Sequence, residues 1–457
     1  MERSTQRAAG PADGDDDVRV GVLSLHNSKE TKAILNAVEA LGHHPEWLRS
    51  ENTVVRFEDE HATLSPDVDV VVNRLLLSNT DQPAEAQGLA LTLGAIRPML
   101  NAPEATARAA HKTATAAWLT DAGLPIPKTV FALSGDQLNR VRGEFGPEAV
   151  YKTAIGTHGG GAWKVGETEQ LTASVGKRRA FLQALVGRDG ETPRDLRVYV
   201  VDGDVVGAMY RYAPESDWRT NVARGGVVED ATGSAPPAAF DLARRATTTL
   251  GLDCAGVDLI EGDDDAWYVL EVNPTAGFKG LYEATGHSPA PHIARHAIEH
   301  AGGSVDDERV HTLASTLDDS VPACKPVPES VRDAGATTIG FTETVVVTGT
   351  TGSKTVVAKS DSGATRTSID LRLAADVGAG PIHNVSRVRS GSSKDAKRRP
   401  VVDLVIGIGG EQHTVAANIE DRSHMTHRLL LGRDVLKNYH LDVSRRVEDR
   451  AEVGHEE

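Results

Sequence analysis

The chain has 457 residues, 39 % of them hydrophobic and only 4 % aromatic, so its cores must be assembled from many small aliphatic burials. Lysine and arginine total 49 against 65 aspartates and glutamates, a net charge of −16 of the kind found on proteins of salt-loving organisms, and this argues against non-specific nucleic-acid binding, which needs a basic face, while leaving room for a local basic groove. The two cysteines, Cys254 and Cys324, lie in different segments without CxxC spacing, which argues against a disulfide framework and a cysteine-rich zinc site.

Residues 1–17 are polar and acidic and lack the apolar stretch of a secretory signal; they read as a disordered leader of a cytoplasmic protein. No run reaches the length of a membrane span. Val18–Leu25 is a short apolar run and predicts a buried strand. Glu30–Leu41 has helical spacing, with Gly42 as its stop, and Val68–Val72 after Pro66-Asp67 predicts another strand. This alternation predicts an N-terminal α/β layer with a parallel sheet over 18–103. Pro103–Leu119 reads as one helix, broken by Gly123-Leu124-Pro125-Ile126-Pro127. From Ala149 the pattern becomes strands joined by Gly- and Asp-rich turns: Ala149–Lys152, Leu196–Val201, Val205–Arg211, Gly256–Ile260 and Trp267–Val272. These predict an antiparallel sheet with covering helices within 104–301. Residues 302–335, with three prolines and little periodicity, read as a linker. Short strands over Thr337–Val347, Thr355–Ala358, Val401–Ile408 and Gln412–Ala416 predict a small all-β barrel or sandwich over 336–446, with a basic loop at Ser390–Arg399. An acidic tail follows over 447–457.

Gly256-Val257-Asp258-Leu259 and Val269-Leu270-Glu271-Val272-Asn273-Pro274 predict a hairpin closed by Gly262–Ala266. Glu271 and Asn273 are two residues apart and share a face, and Asp258 lies near the same level on the partner strand. Three oxygen donors converging there suit a Mg²⁺ ion that also holds ATP phosphates, although a surface hairpin with ordinary carboxylates has the same spacing. Tyr151-Lys152 followed by Gly156, His158, Gly159, Gly160 and Gly161 places a cation beside a loop whose N–H groups can approach phosphate closely, without being a Walker A loop. Asp195, Arg197, Arg211, Arg219, Asn221 and Arg224 add guanidinium groups suited to carboxylate or phosphate recognition.

In this order these segments resemble the RimK-type branch of the ATP-grasp ligases, over about Val18 to Ala301. The resemblance also takes in Arg74 after the strand DVDVVVNR, Asn101-Ala102-Pro103, Lys112, Gly123 to Pro127, Asp195-x-Arg197 and Arg219-Thr220-Asn221. It implies that Lys112 and Lys152 contact ATP phosphates, and that Asp258, Glu271 and Asn273 hold Mg²⁺, with Mn²⁺ as a substitute. It places Gly159, Gly160, Gly161, Gln183, Asp195 and Arg197 among the nucleotide-binding residues, and Arg211 and Asn221 near an acyl-phosphate. The family commonly has Asp-Lys where this chain has His111-Lys112, and Gln-Glu where it has Gln183-Ala184. Losing that glutamate weakens the expected adenine or ribose contact, worth roughly 1.5–3 kcal/mol for a hydrogen bond to a charged group.

Lys359-Ser360-Asp361-Ser362-Gly363-Ala364 and Leu429-Leu430-Leu431-Gly432-Arg433-Asp434 resemble the paired motifs of retropepsin-like aspartic proteases, in particular the domain attached to RimK-type ligases and labelled an ATP-dependent zinc protease. One Asp-Ser-Gly supplies one carboxylate, so catalysis by Asp361 requires a homodimer that pairs two copies; the other reading is a structural Asx-turn. Of His383, His413, His424, His427 and His440, the pair His424/His427 has the spacing to share a helix face, but no HExxH occurs. The expected fold is thus an α/β plus α+β ATP-grasp body followed by a retropepsin-like β-barrel. The expected function is ATP-dependent joining of an amino acid such as glutamate to a carboxylate acceptor, a protein, peptide or cofactor, with no DNA or membrane partner. The alternative is a nucleotide-responsive scaffold whose β domain docks a protein.

Overall fold

The computed structural model describes residues 17–447 except 81, 157–160, 177, 188–191, 216, 221–225, 264, 327–336 and 389–396. The chain forms two compact units, divided between Pro326 and Val327.

The first unit opens with a parallel sheet in the order His44–Leu48, Arg19–Leu23, Val70–Asn73, Met99–Leu100. The near-continuous Val and Leu content of the two inner strands suits burial on both faces. Helix Lys29–Ala40 is capped by Ser28, whose Oγ accepts the Thr31 N–H, and stops before Gly42 at φ +95°. The strand order reverses direction between Arg19–Leu23 and Val70–Asn73, and the loops leaving their carboxyl ends flank the crevice where such sheets bind ligands.

The stretch read as one helix is two, Pro103–Ala110 and Lys112–Asp121. His111 between them is extended (φ −107°, ψ 100°), and the Lys112 N–H leaves the helical pattern to bond Ala154 O at 2.8 Å. The break places Lys112 at a helix N-terminus. The expected single antiparallel sheet is likewise two. One contains Ser174–Val175, Arg178–Ala184, Glu148–Thr153 and Ala162–Gly166 in order, with Thr129–Phe131 also on Arg178–Ala184. The other runs Val227–Asp230, Asp204–Tyr212, Arg194–Val201, Cys254–Glu261, Trp267–Asn273.

The second of these sheets positions the site through its two-residue period. Leu196, Val198, Val200, Ala255, Val257 and Leu259 face helix Pro237–Leu250 and form one core. Tyr199, Val201, Met209 and Cys254 face the other way, into a core shared with the parallel layer and helix Ala290–His300. Farther along that second face the same strands carry Asp195, Arg197, Arg211 and Asp258. A bulge after Asp258 leaves Leu270 without an opposite residue, so Val269 and Val272 both reach the core while Glu271 turns to the site.

Within the segment read as a linker, helix Asp307–Ala314 is capped by Asp306 and buries Val310 and Ala314. Residues 327–336, the leader up to 16 and the tail from 448 lie outside the described residues, as does most of the basic loop. No helix among the described residues is long and apolar enough to cross a membrane.

The second unit is a six-stranded closed barrel. Its strands run Thr342–Thr348, Ser353–Ser360, Leu429–Leu431, Ser368–Asp370, Glu411–Glu420 and Lys397–Ile408, which pairs back onto the first. Ile382–Val388 adds outside Lys397–Ile408, and the run read as one strand from Thr337 divides at Phe341 into Thr338–Gly340 and Thr342–Thr348.

Candidate active site

The site grows from two cross-strand rows. In the first, Arg197, Asp258 and Glu271 are direct neighbours on three adjacent strands; in the second, Asp195 stands opposite Arg211. Arg197 holds Asp258 bidentately, Nε to Oδ1 at 2.6 Å and Nη2 to Oδ2 at 2.7 Å. Arg211 holds Asp195 in the same way at 2.7 and 2.6 Å, and its Nη2 also reaches Asp258 Oδ2 at 3.0 Å. Thr220 Oγ1 donates to Asp195 Oδ2 at 2.6 Å. Burial alone would push the Asp258 carboxyl up, but the charges and hydrogen bonds of Arg197 and Arg211 outweigh it and hold the group at about 2. Burial likewise opposes the charge of Arg197, and Asp258 overcomes it, raising the guanidinium well above its usual value. Gly256 leaves room for this packing, because a Cβ there would lie 2.6 Å from the Ala276 methyl.

Lys112 Nζ donates to Gly156 O at 3.0 Å and to Glu271 Oε1 at 3.1 Å, joining the start of the glycine loop to the carboxylate row. Lys152 is half-buried on its strand and donates to Gln183 Oε1 at 2.6 Å, while Gln183 Nε2 donates to Thr129 Oγ1 at 3.1 Å. Burial lowers the Lys152 ammonium to about 8 despite nearby Glu271, and the charge of Lys112 adds to the lowering. Gly161 O accepts the Thr153 N–H at 2.8 Å, and a Cβ on Gly161 would overlap Thr153 Oγ1. Gly159, Gly160 and Asn221 lie outside the described residues. His111, where the resemblance expects Asp, bonds Thr113 Oγ1 through Nδ1 at 3.1 Å, and burial lowers its pKa.

Lys112, Lys152, Gly161, the Asp195–Arg211 and Arg197–Asp258–Glu271 rows and Asn273 line one cleft of about 620 Å³, together with Leu185 and Val186 at the Ala184 end, Arg194 and Glu261, and His26, Ser28 and Arg74 from the parallel layer; Gln183 and His111 are not in its lining. The sequence reading missed His26 and Ser28. Their position just after the carboxyl end of a parallel strand is the signal that could have found them.

The donors fit a hard divalent cation. Asp258 and Glu271 face each other in register, Asn273 follows two residues on, and the Asn273 amide has no hydrogen-bond partner among the described residues. Asp258 would share its carboxylate between the cation and the two arginines, and its depressed pKa keeps it ionised for this.

In the barrel unit, Asp361 Oδ1 accepts the Gly363 N–H at 2.9 Å, an Asx-turn that fixes the carboxylate at the tip of its loop. Arg433 clamps that loop, donating to Ser362 O at 3.0 Å and Thr365 Oγ1 at 3.0 Å, and Asp434 accepts both the N–H and the hydroxyl of Thr367. The two sequence motifs are thus one structural unit. His424 lies in a turn and His427 in irregular chain, so the two share no helix, in line with scattered histidines rather than a paired site. No group of three His, Cys, Asp or Glu side chains suited to a metal occurs among the described residues, so the zinc label has no support there.

Two lysines and an oxygen-donor row facing one cleft between two antiparallel sheets and a parallel α/β layer are the arrangement of an ATP-grasp ligase. Residues 109–296 match the RimK-like ATP-grasp domain family, and residues 333–451 match the family described as retropepsin-like aspartic endopeptidase RimB. A probable alpha-L-glutamate ligase of Stenotrophomonas maltophilia strain K279a is 30 % identical over 61 % of this chain and 98 % of its own length. A tetrahydromethanopterin:alpha-L-glutamate ligase of Methanosarcina acetivorans is 30 % identical over 43 % of this chain and 68 % of its own. The solved ATP-grasp ligase PsnB, complexed with a phosphomimetic variant of its minimal precursor, Mg and ADP, shares the fold at 22 % identity and a TM-score of 0.50, covering 63 % of this chain and 99 % of PsnB. The chain belongs to the RimK-like ATP-grasp ligases and carries a retropepsin-like domain of the RimB type.

Proposed function

We infer that the first unit, through residues 18–301, joins an amino acid, glutamate or a close analogue, to a carboxylate on a protein, peptide or cofactor, using ATP in the cytoplasm. What carries this reading is the row Arg197–Asp258–Glu271 in the same cleft as Lys112 and Lys152. The acceptor carboxylate attacks the γ-phosphorus of ATP; an O–P bond forms, the bridging P–O bond breaks and ADP leaves. The amine of the incoming amino acid then attacks the acyl carbon, phosphate departs and the nitrogen gives up its proton. Lys112 and Lys152 offset the charge of the phosphates, and the glycine loop, with Gly159, Gly160 and Gly161, excludes water from the acyl-phosphate. Gln183 holds Lys152 in place, and Asp195, Arg197 and Arg211 form the fixed floor on which Asp258 is presented. Asn221 is assigned to the acyl-phosphate side. Mg²⁺, or Mn²⁺ in its place, held by Asp258, Glu271 and Asn273 would neutralise charge on the phosphate oxygens. Mass spectrometry of candidate acceptors after incubation with ATP and glutamate tests the reading: a mass gain of one or more glutamyl residues supports it, and ATP hydrolysis without any adduct refutes it.

Lys152 gives the reaction a pH signature. With its ammonium near 8 before nucleotide binds, the KM for ATP rises as pH passes upward through about 8, where the free enzyme loses that charge. Lys152→Arg, which stays charged, removes this rise; a wild-type KM flat from pH 7 to about 9 contradicts the assignment.

The retropepsin-like domain, residues 336–446, is assigned hydrolysis of a related amide bond, with Asp361 of two copies sharing a proton across a homodimer. Asp361→Asn is expected to leave the ligase rate unchanged and to abolish hydrolysis of the glutamylated product. Sedimentation showing only monomer at working concentration excludes the paired-aspartate mechanism.

A further inference from the structure

Arg74 directly follows strand Val70–Asn73, at the carboxyl end that faces the crevice. Its residue is 4 % exposed, yet it lines the cleft. Arg211 is also buried there and Arg197 half-buried, but each is gripped by a carboxylate. Arg74 has no ion-pair partner among the described residues, and its Nε has no hydrogen-bond acceptor. Its Nη2 makes only long contacts, 3.4 Å to Ala276 O and 3.5 Å to Thr275 O, and its guanidinium sits 5.3 Å over the Phe278 ring. Glu30 is turned instead to the Phe278 N–H at 3.4 Å. Burial pushes the Arg74 guanidinium down, with Glu30 opposing, and burial followed by the Arg74 charge pushes His26 down. A buried guanidinium without an anion is unfavourable, and an anionic ligand removes that cost. The phosphates already have Lys112 and Lys152, which come from other elements.

We propose that Arg74 is a substrate-binding residue that anchors a carboxylate of the ligase's non-nucleotide substrates, in a subsite completed by His26 and Ser28. Two substrates can bring that chemistry, the incoming amino acid through its α-carboxylate and the acceptor through a carboxylate remote from the reacting one. The proposal rests on the ligase reading of the same cleft.

The test uses the full chain with Arg74→Gln and Arg74→Lys, in two measurements. In the first, protein loaded with a non-hydrolysable ATP analogue is titrated with glutamate, with glutarate, and with the amine that lacks the α-carboxylate. Wild type should bind at least one of the carboxylates. Arg74→Gln should weaken that binding by about ten- to hundredfold, with Arg74→Lys intermediate, while affinity for the nucleotide stays within about twofold. In the second, the KM of each substrate is measured. A rise for glutamate, with loss of its preference over the amine lacking the α-carboxylate, assigns Arg74 to the amino acid; a rise for the acceptor alone assigns it to the acceptor. Equal changes in every KM, a fall in kcat alone, or no carboxylate binding by wild type overturns the proposal. If Arg74→Gln fails to fold, Arg74→Lys decides: carboxylate affinity equal to wild type overturns the proposal. Wild type that binds glutamate through Arg74 but makes no amide refutes the ligase reading and leaves this subsite standing.

Discussion

Glu271→Ala will reduce amide synthesis by at least about a hundredfold while leaving the melting temperature nearly unchanged. The loss follows from chemistry: residues that merely orient a metal's ligands are worth about ten- to hundredfold, and Glu271 is assigned as a ligand itself. Its side chain also accepts from Lys112 at 3.1 Å, so its removal frees one of the two lysines assigned to the phosphates. Stability is spared because that pair is partly solvated, 15 % exposed on Lys112 and 28 % on Glu271, and such pairs contribute about 1 kcal/mol or less. Steady-state rates and thermal melts on one preparation separate the two effects. Activity equal to wild type removes Glu271 from the metal site.

Asp258→Ala will lose amide synthesis too, since Asp258 is assigned to the same cation, but unlike Glu271→Ala it will destabilise the first unit by about 3–5 kcal/mol, because it removes the counter-charge of half-buried Arg197 and a contact of buried Arg211. Against typical total stabilities of about 5–15 kcal/mol this is a large share, visible as a lowered denaturation midpoint. Asp258→Asn keeps the shape and loses the charge, and should fall between. The same carboxyl sets an acid limit. Held at about 2 when folded against 3.8 as the ordinary value, Asp258 binds fewer protons in the folded state. Its contribution is fully present above about pH 4 and is lost as pH falls toward 2. Urea midpoints measured across that window should fall less steeply in Asp258→Asn than in wild type.

Much of this site was legible in the sequence, because a strand's period of two is a local rule. Glu271 and Asn273 share a face through it, and Asp258 falls opposite Glu271 as the hairpin spacing implied. The bulge at Leu270 was not legible; it depends on fitting Val269 and Val272 into one core, a tertiary demand. The spacing grouped Asp195 with Arg197, whereas each pairs with a residue of another strand, Arg211 and Asp258, because cross-strand register decides partners and neighbours in sequence face the same way without touching. The break at His111 escaped notice because the composition of 103–119 favours helix throughout, and only the bond from the Lys112 N–H to Ala154 interrupts it. Helix Asp307–Ala314 was hidden among prolines and acids because its buried face is just Val310 and Ala314.

The most direct test of the central claim is phosphate release from ATP and Mg²⁺ at high salt, across a panel of amino acids and acidic acceptors, with Glu271→Ala beside wild type. The ligase account predicts release that requires both an amino acid and an acceptor and disappears in the variant. ATP binding without release for any pair would contradict it and favour a nucleotide-responsive scaffold.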